Sequence, residues 1–128
     1  MKIELELLPN TLTVHRLHPD DPFPVQLGAA QPVAIIRTER ELSVVCPDSV
    51  TLDSRVSETG WRAFRVRGTL DFGLTGILAG IATCLSDAGV SIFALSTFET
   101  DIILVKQDQL PAAEAALENA GYPVLGTN

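Results

Sequence analysis

The stretch GLTGILAGIATCLSDAGVSIFALSTFETDIILVKQDQL, residues 73–110, predicts one helix followed by two strands. Its first part repeats apolar residues at helical spacing, and the repeating set is Ile77, Leu78, Ile81, Ala82, Leu85 and Ala88. This spacing predicts an amphipathic helix that ends at Gly89. The apolar runs at residues 90–95 and 102–105 predict strands, and the second run is continuous, as in a strand covered by helices.

Six mostly polar residues, 96–101, interrupt the two predicted strands, and the carboxylate of Asp101 stands directly before the second one. The interruption predicts a hairpin corner that displays hydroxyl groups and one carboxylate. Two interpretations of Asp101 stay open at this point. It either contacts a ligand, or it pins the turn through side-chain bonds to the backbone.

The flanking sequence completes a repeating order of elements. Residues 61–66 predict a strand, and Asp108 is the predicted cap of a second helix with Pro111 in its first turn and Gly121 after its end. Residues 122–125 predict a last short strand. The order strand, helix, strand, strand, helix, strand is that of ferredoxin-like α+β folds, in which both helices cover one face of an antiparallel sheet.

The first 58 residues have a different pattern of apolar, charged and proline residues. Apolar and acidic residues alternate up to Leu7, which predicts a strand paired in a hairpin with a second strand that begins at Leu12. Residues 18–32 are rich in proline and predict a surface loop, and residues 33–37 and 42–45 predict two short strands. Few apolar residues occur at 53–60, which predicts a joint between two parts, 1–58 and 59–128.

Composition limits the classes of partner. The 128 residues include 16 acidic and 9 basic side chains, for a net charge of −7, which disfavours binding to nucleic acid and to anionic membrane surfaces. No apolar run approaches the roughly 20 residues that span a bilayer, and the N-terminus lacks the apolar core of a signal peptide. Two cysteines, Cys46 and Cys84, stand in no metal or redox spacing. We therefore expect a cytoplasmic protein with reduced thiols.

Residues 61–122 resemble the ACT domain, and in particular the small tandem-ACT proteins similar to the cytosolic arginine sensor and to the regulatory tails of aspartate kinases. Residues 33–47 are similar to a smaller, degenerate ACT-like half. The resemblance implies a ferredoxin-like βαββαβ domain preceded by that half. It also implies side-by-side pairing of sheets in a homodimer, an amino-acid ligand where two domains meet, a regulated protein partner, no cofactor and no catalysis.

The resemblance carries three groups of candidate ligand-binding residues onto this sequence. They are the helix-start turn, Leu74, Thr75, Gly76 and Ile77; the start of the following strand, Ser91 and Ile92; and the hairpin corner, Thr97, Phe98, Thr100 and Asp101. Free amide groups at a helix start attract a carboxylate, and Gly76 allows close approach. Asp101 would attract an ammonium or guanidinium group on which Phe98 could stack. Together they would bind the two ends of an amino-acid zwitterion.

Other functions have weaker support in the sequence. A module that only assembles, without a ligand, is the main alternative. No G-x-S-x-G or similar signature supports an enzyme. His15 and His18 with Asp20 and Asp21 invite a metal site, but solvated loop side chains are favoured there and no metal is predicted. Three arginines, Arg62, Arg65 and Arg67, form a basic group in the sequence. Alternation along the strand places Arg65 and Arg67 on one face and Arg62 on the other, which is typical of an exposed or edge strand whose charges disfavour pairing with a further strand.

Overall fold

The computed structural model describes residues 3–67 and 76–126, and the chain divides into two compact units. The helical unit comprises Met1–Pro9 and Arg62–Asn128, and the strand unit comprises Asn10–Trp61. The strands are β1 (Leu5–Leu7), β2 (Leu12–Leu17), β3 (Ala34–Arg37), β4 (Leu42–Pro47), β5 (Val56–Val66), β6 (Ile92–Ser96), β7 (Asp101–Lys106) and β8 (Val124–Leu125). The helices are α1 (Ile77–Asp87) and α2 (Leu110–Asn119).

The helical unit has the predicted ferredoxin-like order, β5–α1–β6–β7–α2–β8. β6 and β7 form an antiparallel hairpin, and β7 also pairs with β5. Both helices cover the same face, because Leu85 of α1 and Leu117 of α2 share one apolar cluster with Phe64 of β5 and Ile103 of β7. The α+β fold predicted from the sequence is therefore confirmed.

The N-terminal strand differs from its prediction. β1 does not form a hairpin with β2; it pairs antiparallel with β5 and parallel with β8, with Leu5 opposite Val66 on one side and Val124 on the other. Residues 1–9 thus join the helical unit, whereas the sequence predicted them in the first part, and one pair of the sheet is parallel. The alternating pattern predicts which side chains of β1 are buried. It does not predict which strand lies next to β1, because a period of two is the same for any partner.

The helix ends follow the predicted glycines. After α1, the amide of Val90 donates to Leu85 O at 2.9 Å and the amide of Gly89 donates to Ser86 O at 3.0 Å. Gly89 has φ +76°, so this is a Schellman motif, which glycine adopts without the steric cost of a Cβ. The helix start was predicted less well, since Gln109 rather than Asp108 occupies the N-cap of α2.

The strand unit has the order β3-β4-β2-β5, with all pairs antiparallel. Among the described residues, one buried cluster of this unit consists of Leu17, Leu27, Leu42, Val44 and Cys46. Leu27 belongs to a short 3-10 turn, Val25–Leu27, within the predicted proline-rich loop, so the loop covers part of this core. No α-helix occurs in the described part of this unit.

The predicted joint at residues 53–60 is in large part strand. β5 begins at Val56, and its first residues pair with β2 although most of their side chains are polar and exposed. Backbone pairing with β2 is available whatever these side chains are, so local apolar content failed as a guide. The pairing register shifts between Leu12 and Val14, where Gly60 has φ +78°, as in a glycine β-bulge.

Candidate ligand site at the hairpin between β6 and β7

The corner of the β6–β7 hairpin is held by its own threonines. The amide of Thr97 donates to Thr100 O at 2.7 Å, and the amide of Thr100 donates to Thr97 Oγ1 at 3.1 Å. The Thr97 hydroxyl also lies 3.1 Å from Thr100 O, to which it donates. These bonds fix the turn and leave Phe98 and Glu99 at its tip, with the Phe98 side chain 82% exposed.

A further bond attaches the corner to the rest of the sheet. Thr100 Oγ1 donates to Val66 O at 2.7 Å. Val66 is the last residue of β5, from which the chain proceeds toward α1. The corner therefore lies at the end of the sheet where β5 leaves toward the helix start.

Asp101 is half-buried and accepts a hydrogen bond at Oδ1 from the hydroxyl of Ser96, at 2.7 Å. Ser96 and Asp101 are the last paired residues of the hairpin. The carboxylate thus contributes to the turn through a side chain rather than through the backbone, and this bond engages one of its two oxygens. Ser96 was not among the predicted site residues, although the four-residue turn between the strands would have placed it opposite Asp101.

The start of α1 offers backbone donors. Gly76, the N-cap, is exposed with φ +83°, and a Cβ built there would meet nothing within 4 Å. The N-cap makes no side-chain bond to the first turn, whose amides are the usual attachment point for an anion. Ile77 is half-buried and packs on the apolar cluster, so it attaches the start of α1 to the core of the helical unit. Leu74 and Thr75 lie outside the described residues.

Ser91 and Ile92 lie at the opposite end of β6. Ile92 is paired with Val105 and packs on the apolar cluster, and the amide of Ser91 donates to Gln109 Oε1 at 3.3 Å. Thr97 is five residues after Ile92, which corresponds to about 16 Å along a strand. One copy of the helical unit therefore does not bring the three predicted groups together.

The histidines have separate environments. His15 is buried in β2 rather than solvated, with Nδ1 2.8 Å from Ser54 Oγ, and burial lowers its pKa. His18 is exposed, and its Nδ1 accepts the amide of Asp20 at 3.1 Å. No group of three or more metal-type ligands occurs within residues 3–67 and 76–126.

The cysteines and the arginines of β5 have structural surroundings. Burial raises the pKa of the Cys46 and Cys84 thiols, which makes them poor nucleophiles. Arg62 is buried and donates to Leu8 O at 3.0 Å, whereas Arg65 is exposed and lies 2.7 Å from Glu6 Oε1. The ion pair lowers the pKa of Glu6. The predicted alternation is confirmed, but β5 lies between β1 and β7 and is not an edge strand.

The helices in the described part of the chain are all too short or too polar to cross a membrane.

Comparison with known proteins agrees with this architecture. Residues 56–119 match the family model of the ACT domain. Protein Atu0741 from Agobacterium tumefaciens is 31% identical, with a TM-score of 0.91 over 100% of this chain and 96% of that one. No curated protein matches the sequence.

Two more distant structures show the same fold. Aspartate kinase from Synechocystis is 19% identical, with a TM-score of 0.69 over 98% of this chain and 28% of that one. The regulatory subunit of aspartate kinase from Thermus thermophilus is 10% identical, with a TM-score of 0.63 over 94% of this chain and 97% of that one. The chain belongs to the ACT domain family of regulatory domains.

Proposed function

We propose that this protein is a cytoplasmic, non-catalytic sensor that binds a free amino acid between two copies of its helical unit and signals to a regulated protein. The strand unit is then the degenerate ACT-like half. The observation that carries the proposal is the ordered hairpin corner, which holds the Asp101 carboxylate half-buried and leaves Phe98 exposed on the same turn. No metal or cofactor is needed for such binding.

The corner and the helix start match the two charges of an amino acid. The second oxygen of Asp101 can accept a bond from an ammonium group, while the amides of the first turn of α1 can donate to a carboxylate. Gly76 permits close approach because it carries no side chain. Bonds of this type, with a charged partner, contribute about 1.5–3 kcal/mol each.

A second copy supplies the missing part of the site. Among the strands that the structure describes, β6 pairs with β7 alone, so its other edge can pair with a strand of a second copy. Antiparallel pairing of β6 with its own copy, centred on Ala94, would set Ile92 of one copy opposite Ser96 of the other. Ser91 and Ile92 of one copy would then lie beside the corner of the second, which unites residues that a single copy separates.

Thermal melts with each of the twenty amino acids test the ligand. At 100 times its dissociation constant, a ligand adds about 2.7 kcal/mol, or several degrees for a domain of this size. We expect one amino acid to raise the midpoint of the wild type but not of Asp101→Asn, which removes the charge and keeps an acceptor for Ser96. Glu99→Gln, on the same turn, is the matched control and should retain the shift; equal loss in both variants would refute a specific role for Asp101.

Sedimentation velocity tests the pairing. Ala94 is exposed at the middle of β6, and Ala94→Glu would set like charges opposite each other across a symmetric strand pair. We expect this variant to be monomeric and a mixture with Ala94→Lys to form dimers again. Persistence of a wild-type dimer in Ala94→Glu would show that β6 is not the interface.

The alternative is a module that assembles without a ligand. It is favoured by one observation: the three hydroxyl groups of the corner and the Asp101 carboxylate all have hydrogen-bond partners within the unit; the residues are Ser96, Thr97, Thr100 and Asp101. A dimer that depends on β6, together with no midpoint shift from any amino acid, would establish this alternative.

A further inference from the structure

A surface pocket of about 260 Å³ in the strand unit is lined by three arginines, Arg16, Arg40 and Arg55, together with His18. The protein as a whole is strongly acidic, and residues 10–61 contain four arginines and no lysine. Three of the four basic side chains of this unit therefore border one cavity, although the candidate amino-acid site lies in the other unit.

The pairing register explains why residues so distant in sequence meet. Leu17 at the end of β2 is opposite Leu42 at the start of β4, and Arg16 is opposite Val56 at the start of β5. Arg40 belongs to the turn that connects β3 to β4. The end of β2, this turn and the start of β5 thus lie at the same end of the sheet, and each contributes one guanidinium group.

The fourth arginine, Arg37, fixes the loop that forms one wall. Its guanidinium donates to the carbonyl oxygens of Pro19 and Asp21, the latter at 3.0 Å. The same loop is closed by the amide of Asp21, which donates to His18 O at 3.0 Å, and by the amide of His18, which donates to Asp21 Oδ2 at 3.1 Å. The wall that carries His18 and Pro19 is therefore ordered before any ligand binds.

Carboxylates do not cancel this positive charge. None of the residues that line the pocket is acidic. Arg40 forms an ion pair with Glu39 at 4.0 Å, and the Asp20 carboxylate lies 4.0 Å from His18 Nδ1; the Glu39 and Asp20 side chains are 86% and 92% exposed. Such solvent-exposed pairs contribute little, so the guanidinium groups stay available to an incoming anion.

We propose that this pocket binds a small metabolite through a doubly charged oxyanion group, a phosphate monoester or a dicarboxylate. Guanidinium groups offer paired N–H donors whose spacing matches the oxygens of phosphate and carboxylate. Three of them can surround a dianion, and the volume of about 260 Å³ lies just below the range of roughly 300–1,000 Å³ for drug-sized ligands, which fits a smaller metabolite. No local sequence pattern identifies these three arginines, because Arg16 and Arg40 are 24 residues apart and Arg40 and Arg55 are 15 residues apart.

Titration with inorganic phosphate, followed by amide NMR spectra at constant ionic strength, tests the site. We expect saturable shifts confined to residues near 16–19, 38–41 and 55–56. Arg16→Gln and Arg55→Gln should each weaken binding about tenfold or more, because each removes bonds to a charged group. Arg67→Gln makes the same change of charge on an exposed arginine of the other unit and should bind phosphate like the wild type.

Additional titrations identify the anion and test whether the site is independent of the hairpin corner. A parallel titration with malonate identifies the oxyanion, and saturable binding of either anion that the pocket variants lose supports the site. Arg40→Gln, in an exposed turn, repeats the test without touching a strand. Asp101→Asn should leave phosphate binding unchanged, so failure of the amino-acid proposal does not affect this one. Shifts that never saturate, or that Arg67→Gln weakens as much as Arg55→Gln, overturn the proposal.

Discussion

The helical unit and the strand unit bury their sheets by different means. Two helices cover the sheet of the helical unit, and among the described residues twelve form a buried cluster there. In the strand unit a loop with a 3-10 turn covers a buried cluster that includes Leu27 and Leu42. A helix satisfies its own backbone groups as it covers apolar surface, whereas a loop must find other partners for its polar groups. The loop-covered unit accordingly uses a guanidinium, that of Arg37, to hold two loop carbonyls.

The largest expected effect compares the two cores. Leu85 in α1 and Leu42 in β4 are both fully buried. We expect Leu85→Ala to reduce the free energy of unfolding by about 4–5 kcal/mol and Leu42→Ala by about 2–3 kcal/mol, since a loop can collapse into a cavity more readily than two packed helices. Urea unfolding with unchanged slopes measures both values. If Leu42→Ala costs as much as Leu85→Ala, the loop is as rigid a cover as the helices.

A second test concerns β1 as part of the helical unit. Gly121 and Gly126 both have φ +90°, but a Cβ at Gly126 would lie 2.9 Å from Leu7 O of β1, while one at Gly121 would meet nothing within 4 Å. We expect Gly121→Ala to cost about 1–2 kcal/mol from its backbone alone. Gly126→Ala should cost about 1–2 kcal/mol more, because β1 must shift. Equal values in chemical unfolding would show that β1 is loosely held.

A smaller effect is expected at the hairpin corner. Thr100→Val removes the donor to Val66 O and should reduce the free energy of unfolding by about 1 kcal/mol. Thr97→Val, at an exposed position on the same turn, is the matched control with an expected loss of about half that value. Hydrogen exchange at the ends of β5 and β7 should rise in Thr100→Val only; a rise in both would mean that the turn, not the bond to β5, orders the corner.

The last test concerns the buried histidine of the strand unit. Burial lowers the pKa of His15 in the folded protein, so the unfolded chain binds a proton more readily. The stabilisation that neutral His15 provides is complete above its ordinary pKa of 6.5 and is lost as the pH falls through 6.5 toward the folded pKa. We expect the midpoint temperature of thermal unfolding to fall less between about pH 7.5 and about pH 5.5 in His15→Gln than in the wild type.

The exposed His18 supplies the control for that experiment. His18→Gln should leave the midpoint drop close to that of the wild type. If the midpoint falls as much in His15→Gln as in the wild type, groups other than His15 cause the pH dependence. The comparison uses differences between two pH values, so a general loss of stability in either variant does not affect it.

Much of the helical unit could be predicted from local sequence. The spacing of Ile81 and Leu85, the glycines after each helix and the apolar run of β7 all report on neighbours within a few residues. The strand character of residues 56–60 could not be predicted, because β2 rather than their own side chains holds them. The same limit applies to β1, whose partners lie about 60 and 120 residues further along the chain.

The candidate sites divide in the same way. The sequence by itself determined the polar hairpin corner with Asp101 and Phe98, since a turn between two strands is a local feature. Only the tertiary structure decided that Ser96 bonds Asp101, that Ser91 and Ile92 lie at the far end of β6, and that three arginines border one pocket. Periodicity and turn residues encode local geometry, whereas strand order and register join distant segments, and these depend on the packing of the whole unit.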